Sequence, residues 1–216
     1  MSAPSRLRRP TAQRWLTLLL AVALAGLLLG IFVFGVARVD GHSMQPTLHD
    51  GDRVLVLRTG AWLHRLGVGR YRAGDIVTFP DPTRHVGGLR GLLGGHLLIK
   101  RIVAGPGRRV ALDDGRLVVD GRRQPEPYLA HAFRGSGSIP ALRVPPGHVY
   151  VMGDNRHPLA SFDSRSYGPV PTDTILGRAV LVVWPLVRRG PGGWFFNVRL
   201  LTAGSDAPAM PSSASR

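Results

Sequence analysis

The sequence contains no cysteine, which excludes disulfides, thiolate zinc sites and cysteine nucleophiles. Redox chemistry therefore gives no indication of the compartment. Lysine is almost absent as well, because Lys100 is the only lysine among the 28 Lys and Arg residues. In a chain so biased towards arginine, a position that accepts arginine is expected to carry arginine. The single retained lysine is therefore informative.

Acidic residues are also few, with 13 Asp and Glu against the 28 basic residues, and the net charge is +15. Such a charge suggests a nucleic acid or an anionic membrane surface as the partner. The arginines are scattered along the chain, and no nucleic-acid motif with interleaved aromatic residues is present. We therefore expect no nucleic-acid partner, and a phospholipid membrane is the better interpretation.

The N-terminal region agrees with a membrane partner. Residues 1–14 are basic, and residues 15–37 carry no charge and are rich in Leu, Ala and Val. At 1.5 Å per residue this run is long enough to cross a bilayer. The basic flank predicts a cytoplasmic N-terminus, a transmembrane anchor over 15–37 and an extracytoplasmic remainder. A cleaved signal peptide is the alternative, with Gly35-Val36-Ala37 as its cleavage site, but the apolar run exceeds the roughly 7–15 residues of such a peptide.

The rest of the chain has the pattern of a β protein. Short apolar segments bounded by Gly, Pro and Asp predict strands over 53–57, 76–79, 97–103, 149–152 and 179–184. Asp114-Gly115 lies between two apolar arms and predicts a hairpin. No helical periodicity is seen outside the anchor, so we expect a mainly β, antiparallel sheet or barrel-like domain over 38–190, with a smaller β satellite subdomain at about 106–147. The tail 191–216 is predicted to be partly disordered.

Two loops are less clearly assigned. Residues 60–74 mix apolar and basic side chains, so this loop either lies on lipid headgroups or is an ordinary solvated loop. The glycine-rich loop over 86–95 is too irregular to be a phosphate-binding loop.

The segment 41–48, GHSMQPTL, contains a candidate nucleophile, Ser43. A serine hydroxyl is a poor nucleophile at neutral pH and needs a base that takes its proton. Gly41 lets the backbone bend close to a substrate, and Pro46 restricts the chain on the other side. A surface turn is the alternative, since Gly, Ser and Pro are frequent in turns.

The base for Ser43 could be a histidine or an amine. Eight histidines are present, but His42 is expected to point away from Ser43 on an extended segment, and the others lie in loops without an obvious partner. A Ser-Lys pair is a known variant of the serine triad. Lys100 and the next residue, Arg101, lie on opposite faces of the strand over 97–103, so one of the two charges should face the interior. Burial would lower the pKa of Lys100 from about 10.4 towards the ~7–8 that suits a general base, although a structural lysine that reaches water is the alternative.

Three blocks in order behind the apolar segment carry a family resemblance: GHSMQPTL, LLIKRIVAGPG, and MGDNR followed by SFDSRSYGPV. Together they resemble the bacterial type I signal peptidases. The resemblance extends from the anchor to about residue 185. It implies a membrane-anchored serine endopeptidase that removes signal peptides from exported preproteins, after small residues at Ala-x-Ala type sites.

The resemblance also assigns residue roles. Ser43 matches the nucleophile, Lys100 the general base and Met44 the residue that follows the nucleophile. Ser161 matches the hydroxyl that orients the lysine amine. The remaining matches are structural: Asp163 with Arg165 as an ion pair, and Gly153, Asp154 and Asn155 as a tight segment against the lysine. The backbone N–H of Ser43 is expected in the oxyanion hole.

Two departures from the family pattern affect these roles. Some relatives carry a hydroxyl residue two positions before the nucleophile as a second oxyanion donor, and here that position is Gly41. The second donor is then a backbone group, a water or absent. The link from Arg156 to Ser161 is about two residues longer than in familiar members, so Ser164 competes with Ser161 for the orienting role.

The function predicted from the sequence is signal-peptide cleavage by a Ser43–Lys100 dyad, without a metal or other cofactor. A self-cleaving regulator of the LexA kind shares the dyad, but the chain has an anchor and no helix-turn-helix. A catalytically silent, membrane-tethered β module that binds export partners or anionic lipid is the second alternative. Retention of Ser43, Ser161 and the only lysine favours the enzyme.

Overall fold

The computed structural model describes residues 12–65, 71–83, 97–190 and 193–202. Four of the regions discussed above therefore lie wholly or partly outside the described residues. They are most of the basic N-terminus, part of the 60–74 loop, the glycine-rich 86–95 loop and the end of the tail.

The described chain begins with helix α1, Ala12–Val33, which continues directly into strand β1, Phe34–Arg38. Strand β1 pairs antiparallel with β2, Arg53–Leu57. The prediction that 15–37 forms one helix is thus wrong for its last residues. An apolar run does not by itself distinguish helix from strand, and here pairing with β2 decides the outcome. Within the residues that the structure describes, no helix is both long enough and apolar enough to cross a membrane.

An antiparallel sheet of eight strands forms the body of the domain. Besides β1 and β2 it contains β3 (Ile76–Pro80), β4 (Leu97–Ala104), β9 (His148–Met152), β10 (Val170–Pro171), β11 (Gly177–Trp184) and β14 (Arg199–Leu200). Seven of these strands lie side by side in the order β1-β2-β11-β3-β4-β9-β10, and β14 pairs with β11. The five strands predicted from the sequence all belong to this sheet.

A smaller antiparallel sheet lies within the range predicted for the satellite. Its order is β7-β6-β5-β8, with β5 (Arg109–Asp113), β6 (Arg116–Val119), β7 (Arg122–Arg123) and β8 (Ile139–Arg143). The predicted hairpin at Asp114-Gly115 is confirmed, because β5 pairs with β6 across these two residues and both have positive φ. A mainly β architecture with one large and one small antiparallel sheet is therefore confirmed.

Six further elements complete the part of the chain that the structure describes, and two of them are short 3-10 helices, His131–Phe133 and Thr172–Thr174. Helix α2 spans Thr59–Arg65, α3 spans Ser164–Tyr167, and β12 (Val187–Gly190) pairs with β13 (Gly193–Phe196). In the part of the predicted tail that the structure describes, residues 193–196 form β13 and residues 199–200 form β14. The aromatic residues of β13, Trp194, Phe195 and Phe196, are typical of a strand.

The core consists of three clusters of buried apolar side chains. One of them joins the two sheets: Tyr150 and Met152 of β9 pack with Val110 and Leu112 of β5. Another holds Met44 and Leu48 against strands β2 and β11. The segment that carries Ser43 is thereby fixed to the large sheet.

Candidate active site

The Ser43 segment is a compact turn held by buried neighbours. Met44 is 1% exposed and Leu48 is fully buried, and the Leu48 N–H donates to the Met44 carbonyl at 2.8 Å. Gly41 has φ +86, a backbone conformation that favours glycine. Because its neighbour Met44 enters the core, Ser43 itself stays partly exposed beside a cleft.

Lys100 lies in β4, and its side chain reaches Ser43. Lys100 Nζ is 2.9 Å from Ser43 Oγ and donates to the Ile99 carbonyl at 3.0 Å. The residue is only 3% exposed. The predicted nucleophile and base, which are 57 positions apart in the chain, are therefore within direct hydrogen-bond distance of each other.

Burial lowers the pKa of Lys100 to about 8. Loss of solvation is the largest cause, since it disfavours the ammonium form. The nearby carboxylates of Asp163 and Asp154 act in the opposite direction, and the Arg165 guanidinium lowers the pKa further. An amine with this pKa is neutral in an appreciable fraction of molecules near neutral pH, as a general base requires.

Both charges of β4 are buried, so the prediction that only one of them faces the interior is wrong. Arg101 is fully buried and makes a bidentate ion pair with Asp154, at 2.9 Å from Nε and 2.8 Å from Nη2. It faces away from Lys100, as strand alternation requires, but the satellite segment covers that face too. The guanidinium carbon of Arg101 lies 4.0 Å from the centre of the Tyr128 ring.

The segment from Gly153 to Asn155 holds the backbone of the Ser43 turn. The Asn155 N–H donates to the Ser43 carbonyl at 3.0 Å, and Asn155 Nδ2 donates to the His42 carbonyl at 3.2 Å. A Cβ at Gly153 would overlap both the Ser43 carbonyl oxygen and Ser161 Oγ. Glycine is therefore required where this segment passes between the two serines.

Ser161 is buried close to this segment, but it does not bond Lys100. Its hydroxyl donates to Asp163 Oδ2 at 2.7 Å, and Asp163 also accepts from the Gly153 N–H at 2.9 Å. The expected direct hydrogen bond from Ser161 to the Lys100 amine is thus replaced by a bond to the carboxylate that acts on that amine. The competitor, Ser164, accepts from the Val151 N–H at 2.9 Å.

The expected ion pair between Asp163 and Arg165 is present. Arg165 donates from Nε to Oδ1 at 2.9 Å and from Nη2 to Oδ2 at 2.8 Å. Burial raises the pKa of Asp163. The bonds from Arg165, Gly153 and Ser161 outweigh that effect and hold this pKa below its ordinary value. Asp163 is therefore a carboxylate at neutral pH and contributes a full negative charge near Lys100.

Ser43 and Gly41 are the two candidates for a backbone N–H that binds an oxyanion, and they differ in whether that N–H is already hydrogen-bonded. Within the described residues, the Ser43 N–H has no hydrogen-bond partner, and it is free to bind a developing oxyanion. The Gly41 N–H instead donates to Asp50 Oδ1 at 2.7 Å. The backbone group of Gly41 is thus already engaged.

Two histidines of the described residues, His42 and His157, are engaged in other contacts. His42 Nδ1 lies 3.0 Å from Gln45 Nε2, on the exposed side of the turn. His157 Nε2 lies 2.6 Å from the Ala132 carbonyl. Among the described residues, no group of three or more His, Asp and Glu side chains could hold a metal ion.

Comparison with known proteins adds to this geometry. Residues 12–184 match the protein family described as signal peptidase, peptidase S26. The chain belongs to this signal peptidase family. A probable signal peptidase I-1 from Synechocystis is 35% identical over 178 residues, covering 82% of this chain and 85% of the relative. Signal peptidase I T from Bacillus subtilis is 33% identical over 184 residues, covering 81% and 86%.

A solved structure is also similar. The crystal structure of a signal peptidase I from Enterococcus faecalis shares 26% sequence identity, covering 50% of this chain and 96% of that chain. Its TM-score of 0.39 is too low to support an argument about the fold. The family assignment rests on the sequence match.

As a signal peptidase, the chain is a hydrolase that cleaves signal peptides, which confirms the predicted family and function. The matched range includes Ser43, Lys100 and the residues from Gly153 to Arg165. Neither the silent tethered module nor the self-cleaving regulator accounts for this match.

The cleft beside Ser43 is where this signal peptidase can admit a peptide. It has a volume of about 340 Å³ and lies between residues 38–44 and the first half of β4. Leu159, Ala160 and Phe162 line it on the side of the lengthened link. The Leu159 side chain is completely exposed, and its φ of +64 is unusual for a residue other than glycine.

Several functional groups could not be recognised from the motifs alone. The motif match places Asn155 in a tight segment but does not indicate its hydrogen bonds to the backbone of the Ser43 turn. Glu126 and Tyr128 lie in a segment with little sequence pattern, so nothing marked them as part of the site. The available sequence signal was the position of Glu126 between two prolines.

Proposed function

We propose that the chain cleaves preproteins with Ser43 as the nucleophile and Lys100 as the general base, on the outer side of a membrane to which residues 15–37 attach it. The distance of 2.9 Å between Ser43 Oγ and Lys100 Nζ, with the amine buried, is the observation that carries this proposal. A buried, neutral amine at hydrogen-bond distance from a hydroxyl is the arrangement that activates a serine without histidine.

The reaction has two halves. Neutral Lys100 takes the proton of Ser43 as Oγ attacks the scissile carbonyl, and the ammonium then gives that proton to the leaving amine of the mature protein. The signal peptide remains as an ester on Ser43. Lys100, neutral again, takes a proton from water as the water oxygen attacks the ester carbonyl, and Ser43 recovers its proton when the peptide leaves.

The oxyanion formed in each half requires hydrogen-bond donors. The free Ser43 N–H supplies one. Since the Gly41 N–H bonds Asp50, a second donor comes from water or from the substrate complex. Removal of one such donor costs ~3 kcal/mol in other enzymes, so a single donor still leaves substantial stabilisation.

The substrate is proposed to bind as an extended strand. Strand β9 pairs with Arg101, Ile102 and Ala104 but not with the first half of β4, so that edge of β4 is open towards the cleft. A peptide that adds to this edge passes Lys100 and Ser43. A preference for small residues such as alanine at the first and third positions before the cut is part of the same proposal.

Membrane attachment is proposed from the N-terminal sequence. The basic residues before position 15 favour the cytoplasmic side, which leaves the domain after residue 38 outside. Apolar side chains of α1, including Leu19 and Val22, are exposed on the surface of the protein. Attachment makes physical sense because the substrate's own apolar region is held in the bilayer, and the two reactants are then confined to one interface.

The dyad is tested with full-length protein in detergent and a preprotein that carries an Ala-x-Ala site. Wild type, Ser43→Ala, Lys100→Met and Lys100→Arg are compared across pH 6–10, with His42→Ala as the control for a histidine base. We expect cleavage by wild type and His42→Ala, and loss of orders of magnitude in the other three. An active Lys100→Arg or Lys100→Met would show that the lysine is structural.

The orientation can be tested because the chain has no cysteine. Ser5→Cys and Ser212→Cys are introduced separately and treated with a membrane-impermeant maleimide in intact bacterial spheroplasts. Labelling of Ser212→Cys but not of Ser5→Cys before lysis is expected. The reverse pattern would refute the proposed topology, and extraction by alkaline carbonate would refute integral attachment.

A further inference from the structure

A buried carboxylate outside the dyad lies in the segment that follows β7. Glu126 and Tyr128 are each 6% exposed, although they belong to the satellite and not to the large sheet. Glutamate is seldom buried unless it is paired. The chemistry proposed above does not use Glu126, so its position needs another explanation.

The partner of Glu126 is Arg156, in the segment that follows Asn155. Arg156 Nη2 lies 2.5 Å from Glu126 Oε1, and the Tyr128 hydroxyl donates to the same oxygen at 3.0 Å. Both members of the ion pair are 2% exposed at their side chains. Arg156 Nε also donates to the Gly153 carbonyl at 2.8 Å. Glu126 therefore fixes an arginine that ties the segment from Gly153 to Arg156 together.

That segment in turn fixes the nucleophile. Asn155, next to Arg156, bonds the carbonyls of both His42 and Ser43. A chain of short contacts thus runs from Glu126 through Arg156 and Asn155 to the backbone of Ser43. Its links are the ion pair between Glu126 and Arg156, the peptide bond between Asn155 and Arg156, and the hydrogen bond from the Asn155 N–H to the Ser43 carbonyl.

The same satellite segment also contacts the strand of the base. The Tyr128 ring lies under the guanidinium of Arg101, and Arg101 follows Lys100 in β4. The ion pair between Arg101 and Asp154 connects this strand with the segment that holds Ser43. Tyr128 therefore contacts Arg101, next to Lys100, and through Glu126 and Arg156 it is linked to the segment that bonds the Ser43 turn.

We propose that Glu126 and Tyr128 are positioning residues, through which the satellite sheet sets the distance between Ser43 and Lys100. The inference rests on the proposed dyad, which it deepens. A displacement of about 1 Å at a reacting group can lower the rate by about a hundredfold without a change in the residues that bind substrate. Loss of Glu126 should therefore affect kcat much more than KM.

Three variants test the proposal in the full-length protein. Glu126→Gln keeps the size of the side chain and removes its charge, and Tyr128→Phe removes only the hydroxyl and keeps the ring under Arg101. The double variant Glu126→Leu with Arg156→Met removes both buried charges, so no unpaired charge remains to prevent folding. Asp113→Asn is the matched control, since it removes an exposed ion pair with Arg123 in the same satellite sheet.

We measure kcat and KM separately, the pH dependence of kcat/KM and the thermal melting temperature. For Glu126→Gln and the double variant we expect kcat to fall by about tenfold or more with KM within about twofold, and for Tyr128→Phe a smaller fall. The acidic limb of the pH profile should stay in place, because the charges that act on the pKa of Lys100 are those of Asp163, Asp154 and Arg165. Asp113→Asn should match wild type.

A purely structural role would lower the melting temperature and leave kcat per folded molecule unchanged. That result in any folded variant of the three would overturn the proposal, and Tyr128→Phe decides it if the two other variants do not fold. Ser43→Ala is assayed in parallel. If Ser43→Ala still cleaves, the proposed function fails; if it is inactive while the Glu126 variants have wild-type kcat, only the positioning role fails.

Discussion

Ser161 donates its hydroxyl hydrogen bond to Asp163, at 2.7 Å between Oγ and Oδ2, and not to the amine of Lys100. Its effect on the base is therefore indirect. Asp163 is the carboxylate that most strongly opposes the lowering of the Lys100 pKa. By fixing Asp163, Ser161 and Arg165 keep a negative charge at a constant distance from the base, whose own contacts are Ser43 and the Ile99 carbonyl.

The pH dependence of cleavage should follow the ionisation of Lys100. Since only the neutral amine can accept the proton of Ser43, kcat/KM should rise with pH and level off above about 8, the pKa to which burial lowers Lys100. The measurement is kcat/KM for a preprotein between pH 6 and 10. An acidic limb near pH 6.5, and its disappearance in a histidine variant, would identify a histidine as the base instead.

Removal of the Asp163 charge should move that limb to lower pH. In Asp163→Asn the carboxylate that raises the pKa of Lys100 is gone, while the Arg165 guanidinium that lowers it remains. The maximal rate should also fall, because Gly153 and Arg165 lose a charged acceptor. The measurement is kcat/KM against pH for Asp163→Asn, for wild type and for Ser161→Ala.

Ser161→Ala is the matched control because it keeps the Asp163 charge. Its acidic limb should stay close to that of wild type even where its rate is lower. A limb that does not move in Asp163→Asn, or that moves to higher pH, would contradict the electrostatic role assigned to Asp163.

Local patterns predicted most of the large sheet, and long-range pairing explains what they missed. The strand at 53–57 was recognisable from its alternation and its flanking turn. The strand at 179–184, which is β11, was recognisable too, but its place beside β2 was not, because Arg178 pairs with Leu57 across more than half of the chain. Strand β1 was assigned to the helix since Phe34 and Val36 are as apolar as α1, and only pairing with β2 distinguishes the two structures.

The closeness of Ser43 and Lys100 could be predicted because motif order identified both residues, but their surroundings could not. Alternation placed Lys100 and Arg101 on opposite faces, and both faces proved to be covered. The cover over Arg101 is Tyr128, from a loop whose sequence has no period. Likewise, a motif can match Ser161 to a role near Lys100, but the acceptor of a rotatable hydroxyl is set by the nearest carboxylate in three dimensions.

Gly153→Ala should abolish most activity. The added Cβ would overlap the Ser43 carbonyl oxygen and Ser161 Oγ, and backbone at one of these contacts cannot yield easily. Overpacking of this kind costs roughly 1–3 kcal/mol of stability. Because the displaced group is the nucleophile's own backbone, kcat/KM should fall by about a hundredfold or more. The assay is cleavage of a preprotein together with a thermal melt.

Gly105→Ala is the matched control for this variant. Gly105 directly follows β4, and a Cβ there would meet no atom within 4 Å. It should retain wild-type activity. If Gly153→Ala were as active as Gly105→Ala, the close packing between Gly153 and the Ser43 turn would not exist in solution.

The buried amine of Lys100 should also make the stability of the fold depend on pH. Its pKa is about 8 in the folded chain, against 10.5 for an unperturbed lysine. Between these values the unfolded chain binds more protons than the folded chain, so the free energy of unfolding rises with pH. The stabilisation is absent below pH 8, where the buried amine is charged, and amounts to about 3 kcal/mol above pH 10.5.

Lys100→Met isolates this effect, because methionine has a similar shape and does not titrate. Urea unfolding followed by tryptophan fluorescence in detergent is measured for both proteins from pH 7 to 10. From pH 8 to 10 the free energy of unfolding of the wild type should rise by about 2–3 kcal/mol relative to that of the variant. Lys100 is the only lysine, so no other lysine titrates in this window. Above pH 10 the buried tyrosines intervene, since burial raises the pKa of Tyr150 to about 12. A difference that stays constant with pH would mean that the amine keeps its ordinary pKa in the fold, and Lys100 would then lack the property that qualifies it as a base.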